Sequence, residues 1–394
     1  KSREDLFDIY VMPLTWGETS WIQEVSEERS EIDQIIEKTI HYIQSGGQFD
    51  ISLQVTIPNE WERVAPVNIG YTAGIETHRT SPKWLQIGST MDKIIVVSNH
   101  SKNVYKGTEY TYDEVNAPEG TPPSVLKLDT EVHAVNYPTK VYENLEKINL
   151  NLDYDFNFVC MAQLGPRKNI MNTIKWFVEE FHDEEVGIIF KTNFAKNSVM
   201  DREHVRGQML GPLNSEYPDR KCKVYLLHGD MTDEEVHAIY KHPKVKAALS
   251  LTHGEGFGLP LFEAAYSGVP VVAPGWSGQM DFLVDGEGKE KFYNISYDLG
   301  PVPQEVHWED VIVEGSMWCY PRETSAKETM RLCYEDIQNN EGFAATADEH
   351  AEYLHDRFEE TKMYAEFIDA MGIESEPDFD VESWLEGLDV EEIE

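Results

Sequence analysis

The chain of 394 residues is too long for one ordinary domain and suits two domains of about 150–200 residues each. A composition of 41% hydrophobic, 11% aromatic and 27% charged residues excludes a wholly disordered or collagen-like chain. The formal net charge of −39 argues against a broad electrostatic grip on nucleic acid or on an anionic membrane, because such a chain repels both at long range.

In the first half of the sequence, strand-like and helical patterns alternate. Residues 8–12, 49–57 and 94–98 are apolar or alternating runs that predict strands. Residues 28–45 carry isoleucines at helical spacing and predict a helix. Residues 108–130 are rich in Thr, Pro, Gly and Glu, which predicts a long surface loop.

The pattern restarts near residue 152. The predicted strands are residues 156–162, 186–192, 223–227, 246–251 and 269–273, and the predicted helices are residues 169–181, 232–241 and 259–267. The capping box Thr232-Asp233-Glu234-Glu235 marks the start of one of these helices. Strands that alternate with helices in this way indicate an α/β fold with parallel sheets.

These patterns predict four parts in the chain. Residues 1–152 form an N-terminal Rossmann-like domain and residues 153–345 form a C-terminal one. Residues 346–372 form a helix that returns to the first domain. Residues 373–394 form a tail with ten acidic residues and no basic residue.

The segment from Leu251 to Ala265 carries the strongest chemical signal. A buried strand ends at Leu251, and the glycines that follow let the backbone approach a ligand closely. Pro260 suits the first turn of a helix, whose N-terminus presents free N–H groups to an anion. Glu255 and Glu263 stand eight positions apart and are predicted to face one cleft at the carboxyl edge of the sheet.

Two further turns follow strands of the same predicted sheet. One is Pro274–Gln279, with Ser277 and Gly278, and the other is Gly165–Asn169. In the second turn, Arg167 supplies a planar fork and Lys168 a point charge, a pair that suits a diphosphate. Because all three turns lie at one edge of the sheet, we expect them to converge on one anionic ligand.

The run from Arg167 to Leu283 resembles the nucleotide-sugar-binding half of the retaining GT-B glycosyltransferases of family 4. Their hallmark is two Glu residues separated by seven residues around E-G-F-G-L-P, as at Glu255 and Glu263. The chain is most similar to phage-encoded members of the family in three segments, R-K-N, H-G-E-G-F-G-L-P and G-W-S-G-Q-M-D-F. The resemblance implies a GT-B fold, with two Rossmann-like domains that face a central cleft.

The resemblance also implies roles for individual residues. Glu263 would hold the ribose hydroxyls of the donor, Glu255 would contact the transferred sugar, and Lys168 would bind the diphosphate. The implied donor-binding set is Gly256, Phe257, Gly258, Leu259, Glu263, Ser277, Gly278 and, in the loop after the first predicted strand, Gly17. The implied catalytic set is Glu255, Lys168 and Arg167, where Arg167 replaces the arginine that the family carries at the position of Gln163.

The acceptor side and the metal requirement complete the predicted site. Glu76, His78 and Arg79 in the first domain are candidate acceptor residues. The D-x-D sequences at residues 153–155 and 378–380 lie at the domain junction and in the tail, so we interpret both as coincidental. We expect no metal site and no cofactor other than the nucleoside diphosphate sugar, which serves as donor substrate.

The sequence therefore predicts a retaining glycosyltransferase that moves a sugar from a UDP- or GDP-type donor to a hydroxyl. One hypothesis for the acceptor is hydroxymethylated DNA, as in phage-type modification of 5-hydroxymethylcytosine. The alternatives are a glycan or small molecule, which the acidity fits more easily, and a nucleotide-sugar-binding protein without turnover.

The sequence also predicts the cellular compartment in which the protein is found. No stretch approaches the ~20 apolar residues of a membrane span, and the first residues do not resemble a signal peptide. The four cysteines lie far apart, which argues against a disulfide-stapled or zinc-bound domain. We expect a cytoplasmic protein, in the host cytoplasm if the chain is phage-encoded.

Overall fold

The structure is a computed structural model that describes residues 5–14, 26–111, 125–142 and 145–373. Its strands are β1 (Ile51–Val55), β2 (Val67–Thr72), β3 (Lys93–Val96), β4 (Tyr110–Thr111), β5 (Val125–Leu126), β6 (Glu131–Ala134), β7 (Asn157–Met161), β8 (Gly187–Lys191), β9 (Lys223–Leu227), β10 (Val245–Leu249), β11 (Val271–Pro274), β12 (Tyr293–Ile295), β13 (Tyr297–Pro301) and β14 (Met317–Pro321).

Helices cover the connections between most of these strands. The helices are α1 (Glu27–Gln44), α2 (Pro82–Gly88), α3 (Asn99–Gly107), α4 (Ile170–Glu180), α5 (Val199–Glu216), α6 (Asp233–Tyr240), α7 (Leu259–Tyr266), α8 (Met280–Leu283), α9 (Glu323–Asn339), α10 (Ala347–Arg357) and α11 (Glu360–Met371).

Ten of the described strands form two parallel sheets, and the other four form the antiparallel pairs β4-β5 and β13-β14. The first sheet has the order β1-β2-β3-β6, and the second has the order β12-β11-β10-β7-β8-β9. Ile94 and Ile95 in β3 and Phe158 in β7 are fully buried, as expected for parallel strands that are covered on both faces. The predicted α/β architecture with two Rossmann-like sheets is confirmed.

Side chains that follow the strands of the first sheet enter the core of the second. Val97, directly after β3, is buried in one cluster with Phe257, Phe262 and Phe282. The ring of Tyr137, after β6, lies 5.3 Å from the ring of Phe257. The two sheets therefore share part of one hydrophobic core.

Polar contacts connect the same regions. The Oδ2 atom of Asp281 accepts hydrogen bonds from the backbone N–H of Asn99 at 2.8 Å and from the side-chain amide of Asn136 at 2.8 Å. Burial raises the pKa of Asp281 above its ordinary value, although these donors partly offset that effect.

The C-terminal segment returns to the first sheet, as the sequence predicts, but as two helices. The helix α10 packs against α7, and α11 contacts β3 through Phe367 and Ala370. The break falls at Phe358 and Glu359, because Glu359 caps α11 by accepting a hydrogen bond from the backbone N–H of Lys362 at 3.0 Å.

The prediction of a strand at residues 8–12 is wrong, since these residues join neither sheet. The ring of Tyr10 instead stacks on Tyr42 of α1 at 4.6 Å and lies 5.3 Å from Phe49. In the predicted long loop, β4 and β5 pair antiparallel, and residues 112–124 lie outside the described residues. Most of the acidic tail, residues 374–394, also lies outside them.

A β-hairpin that the sequence analysis missed lies between β12 and α9. Its strands β13 and β14 pair antiparallel, with Leu299 opposite Cys319. Gly300 and Pro301 interrupt the apolar alternation of β13, which hides the strand in the sequence. The loop between the strands, residues 302–316, contacts the first domain, where Ser81 donates a hydrogen bond to the carbonyl oxygen of Asp310 at 2.7 Å.

The predicted capping box of α6 is present. The Thr232 hydroxyl accepts from the Glu235 N–H at 3.2 Å, and the Glu235 carboxylate accepts from the Thr232 N–H at 2.9 Å. We expect Thr232→Ala to lower the free energy of unfolding by about 1 kcal/mol, because the cap of the first turn is lost. Urea denaturation measures this change, and Thr232→Ser serves as the control that keeps the cap.

Candidate functional site

The turn after β7 brings two cations to the carboxyl edge of the second sheet. Residues Pro166–Lys168 form one turn of 3₁₀ helix, and Asn169, with a φ of 53°, occupies the left-handed region before α4. The Asn169 side-chain amide donates to the Leu251 carbonyl oxygen at 3.1 Å, which connects the turn to the segment directly after β10. Arg167 and Lys168 are thereby fixed above the sheet edge.

Both cations point at Glu255. The Nζ atom of Lys168 lies 2.5 and 2.7 Å from the two carboxylate oxygens, and the Nη1 atom of Arg167 lies 3.1 Å from one of them. Burial raises the pKa of Glu255, but the two cations outweigh burial and hold this pKa below its ordinary value. Glu255 is therefore ionised at neutral pH within a compact cluster of charges.

The turn Pro274–Gln279 holds the backbone of Glu255 in place. The Ser277 hydroxyl accepts from the Glu255 N–H at 2.9 Å, and the Gly278 N–H donates to the Glu255 carbonyl oxygen at 2.9 Å. Ser277 has a φ of 73°, so the turn holds a non-glycine residue in the left-handed region. If the Gly278 N–H bound the nucleotide sugar, its hydrogen bond to the Glu255 carbonyl oxygen would have to break.

The glycines of the loop that carries Glu255 lie against a loop of the first domain, residues 73–76. A Cβ at Gly256 would lie 2.6 Å from the carbonyl oxygen of Ala73, and one at Gly254 would lie 2.3 Å from that of Glu76. Gly258 has a φ of 98°, a conformation that favours glycine, and it precedes α7. Glycine at positions 254 and 256 therefore permits close contact between the two loops.

Of the three acceptor candidates, Glu76 reaches the charged cluster. Its Oε1 atom lies 3.4 Å from Nη2 of Arg167. The Nδ1 atom of His78 accepts a hydrogen bond from the Met317 N–H at 2.9 Å, and the guanidinium of Arg79 lies 4.2 Å from the ring centre of Tyr110. His78 and Arg79 thus contact β14 and β4, respectively, and their acceptor roles stay predictions.

Glu263 lies on α7, separate from the pair of cations. Burial raises the pKa of its carboxyl to about 7; the negative charge of Asp233 adds to this effect, and Lys140 opposes it. Lys140 comes from the first half of the chain, and its Nζ atom lies 2.5 Å from the Asp233 carboxylate. The sequence analysis connects neither neighbour with Glu263, because it notes Asp233 only as part of the capping box and Lys140 lies far away in the sequence.

The raised pKa predicts that nucleotide affinity depends on pH. If the ionised Glu263 carboxylate accepts the ribose hydroxyls, the dissociation constant at pH 6 should be about tenfold higher than at pH 8, because protonation of a group with a pKa near 7 removes the binding form. Calorimetric titration with UDP or GDP at both pH values measures this ratio.

Glu263→Gln is the matched control. The nucleotide phosphate titrates in the same way with wild type and variant, but the variant has no carboxyl group at position 263. Its affinity should be weaker than that of the wild type at pH 8, by about 1.5–3 kcal/mol of binding free energy. Equal pH dependence in wild type and variant would remove Glu263 from the donor site.

The remaining predicted donor residues occupy different environments. The ring of Phe257 is buried between Phe262 and Phe282, so its backbone alone is available to a ligand, whereas Leu259 is exposed. The side-chain amide of Gln163 donates to the Phe194 carbonyl oxygen at 2.7 Å and points away from the cluster. Gly17 lies outside the described residues.

His253 lies at the start of the loop that carries Glu255, and the sequence analysis assigns it to no candidate set. Its backbone N–H donates to the Arg167 carbonyl oxygen at 2.8 Å, and its Nδ1 lies 2.6 Å from the carbonyl oxygen of Cys319. Because a carbonyl oxygen only accepts, Nδ1 carries the proton. Burial lowers the pKa of His253, and Arg167 lowers it further, so the ring is neutral at neutral pH.

The described part of the chain holds neither a cluster of metal-ligating side chains nor a membrane-spanning helix. Within it, no group of three or more His, Cys, Asp or Glu side chains is arranged to hold a metal ion. No helix there has both the length and the apolar character needed to span a bilayer.

One segment of the chain matches a known protein family. Residues 221–293 match the family model described as Glycosyl transferases group 1. This segment runs from β9 to the start of β12 and contains both Glu255 and Glu263. A search of the curated proteins finds no match.

Solved structures share the fold. A sucrose-phosphate synthase from Thermosynechococcus elongatus matches with a TM-score of 0.54 at 11% identity, over 90% of this chain and 82% of that chain. OtsA in its apo form matches with a TM-score of 0.51 at 9% identity, over 79% of this chain and 69% of that chain.

A third match is to a larger protein. A point mutant of S. aureus TarM, solved with fondaparinux, alpha-GlcNAc-glycerol and UDP, gives a TM-score of 0.45 at 16% identity over 79% of this chain. Because the match covers 52% of TarM, this chain spans about half of that length. The described chain therefore shares the GT-B fold of these structures, and residues 221–293 carry the match to Glycosyl transferases group 1.

Proposed function

We propose that the chain transfers a hexosyl or pentosyl group from a UDP- or GDP-sugar to a hydroxyl acceptor, with retention at the anomeric carbon. Residues 153–345 would hold the donor, and residues 1–152 would face the acceptor. The observation that carries this proposal is the convergence of Arg167 and Lys168 on Glu255 at the carboxyl edge of the second sheet. Retention is inferred from the resemblance to the family-4 enzymes.

The chemistry that this cluster suits is departure of a diphosphate. As the bond between the anomeric carbon and the phosphate oxygen breaks, negative charge grows on the leaving group, and Lys168 and Arg167 stabilise it. In the free protein, Glu255 neutralises these cations and keeps them in place. The donor diphosphate would take over part of that role, which would leave Glu255 beside the transferred sugar.

The acceptor proton needs a destination in the same step. The new bond forms between the acceptor oxygen and the anomeric carbon, and the hydroxyl proton passes to an oxygen of the departing diphosphate. This accounts for the transfer without a protein base. His253 is held neutral with its proton on Nδ1, and its Nδ1–H is occupied by the Cys319 carbonyl oxygen.

The proposal also includes the chemical class of the acceptor. Hydroxymethylated DNA is one candidate, on the resemblance to phage-encoded members. A glycan or small molecule is favoured by one specific observation: the hairpin loop that borders the first domain carries four carboxylates, which repel a phosphate backbone. They are Glu305, Glu309, Asp310 and Glu314.

The test is incubation of the full chain with UDP- and GDP-sugars, against hydroxymethylated DNA, unmodified DNA, simple glycans and no acceptor, read by mass spectrometry. Product on any acceptor supports transfer, and an α-linkage from an α-linked donor supports retention. Donor hydrolysis without transfer would leave the acceptor unidentified but prove turnover. Nucleotide binding without turnover of any donor would instead favour the binding protein, and an EDTA arm tests whether turnover needs a metal ion.

A further inference from the structure

The edge of β14 that does not pair with β13 contacts one loop from each domain. Met317 and Cys319 are alternate residues of this strand, so their N–H and C=O groups point to the same edge. Met317 bonds to His78 in the first domain, and Cys319 bonds to His253 in the second. The two attachment points are about 7 Å apart, the length of two residues in a strand.

Two hydrogen bonds join β14 to each of the two loops. The Met317 N–H donates to Nδ1 of His78 at 2.9 Å, and the His78 N–H donates to the Met317 carbonyl oxygen at 3.3 Å. The Cys319 N–H donates to the His253 carbonyl oxygen at 3.0 Å, and Nδ1–H of His253 donates to the Cys319 carbonyl oxygen at 2.6 Å. Each histidine therefore completes its attachment with its ring.

Each histidine also stands two residues from a carboxylate that contacts Arg167. Glu76 precedes His78, Glu255 follows His253, and their oxygens lie 3.4 and 3.1 Å from the Arg167 guanidinium. The backbone N–H of His253 also donates to the Arg167 carbonyl oxygen. The strand β14 thus sets the separation of the two loops that hold this guanidinium.

The ring of His253 also contacts two aromatic rings of β14. It stacks on Trp318 with ring centres 5.5 Å apart and planes 12° apart, and Tyr320 lies on it at 4.6 Å. The hairpin is also anchored on the first domain, because Val311 packs against the cluster that contains Trp61 and Trp84.

We propose that His78 and His253 are positioning residues, which act through alternate residues of β14 to hold Glu76 and Glu255 on the Arg167 guanidinium. For His78 this replaces direct contact with the acceptor. The inference rests on the proposed transferase function, since it assigns Arg167 to the reaction. Its structural part, the coupling of both loops through β14, is separately measurable.

The kinetic test uses paired variants. His253→Phe keeps a ring against Trp318 but removes the donor to Cys319, and His253→Asn restores an N–H donor. We expect His253→Phe to lower kcat about tenfold, and His253→Asn to recover most of that loss. Arg167→Ala should then cost at least about fivefold less in the His253→Phe background than in the wild type. Fully additive effects of the two substitutions would overturn the proposal.

Hydrogen exchange provides a readout that does not depend on activity. In His253→Phe, amide exchange should increase at residues 317–319 and also at residues 74–80, in the opposite domain. His78→Phe should raise exchange at residues 251–255, whereas His78→Asn, which keeps an acceptor, should not. Leu299→Ala, an exposed change on β13 opposite Cys319, is the control. Increases confined to the loop that carries each substitution would contradict the coupling.

The two proposals fail in different ways. If the wild type transfers sugar from no donor, the proposed function fails, and the exchange experiment still decides whether β14 couples the loops. If transfer occurs but both phenylalanine variants keep the wild-type kcat, the positioning role fails and the transferase function stands.

Discussion

Lys168→Ala should lower kcat for sugar transfer by about 10²–10³-fold, with a smaller change in KM for the donor. Negative charge on the leaving diphosphate is larger in the transition state than in the ground state, so the lost ammonium matters more in the transition state. Steady-state kinetics with the donor that the panel identifies measures both parameters.

The control variants separate charge from stability. Lys175→Ala removes an exposed lysine of α4 and should leave kcat unchanged. Lys168→Arg keeps the positive charge but not its compact shape, so we expect an intermediate kcat. A Lys168→Ala enzyme whose KM rises while kcat stays at the wild-type value would show that Lys168 serves ground-state binding only.

Glu255→Ala should lower the free energy of unfolding by about 3 kcal/mol, because it leaves two largely buried cations without their shared carboxylate. It should also abolish transfer if this carboxylate faces the sugar. Denaturant titration measures the first effect, and the transfer assay measures the second. Asp298→Ala, which breaks an exposed carboxylate–arginine pair with Arg322, should change stability far less.

The stability difference should depend on pH in a defined direction. The pKa of Glu255 lies below its ordinary value of 4.5 in the folded chain, so the carboxylate stabilises the fold fully above that pH. This contribution is lost as the pH falls through the folded-state pKa. The gap between wild type and Glu255→Ala should therefore be constant at neutral pH and shrink in acid. A gap that widened on acidification would contradict the assigned charge state.

The sequence predicts local features of the second sheet well. Periodicity and the cap at Thr232 locate the strands β7 to β11 and the helices α4, α6 and α7 within a few residues, whereas β12, α5 and α9 are not predicted. The loop with Glu255 is recognisable because three glycines, a proline and two glutamates occur at fixed spacing. Such features lie within a few neighbouring residues of the chain.

Features that depend on distant contacts are not predictable in the same way. Residues 8–12 have a strand-like composition, yet they join neither parallel sheet of the described chain. The raised pKa of Glu263 depends on Asp233 and on Lys140, which is far away in the sequence. The hairpin escapes detection because its strands are separated by fifteen residues and one of them contains Gly300 and Pro301.

The cluster that joins Val97 and Tyr137 to Phe257 has a consequence for folding. Neither sheet can lose its order without exposing apolar surface of the other, so the free energies of the two halves are linked. Thermal unfolding should then follow one cooperative transition, with equal calorimetric and van't Hoff enthalpies, although the chain contains two Rossmann-like sheets. Replacing Val97 by a polar residue of similar size, as in Val97→Thr, should split that transition into two.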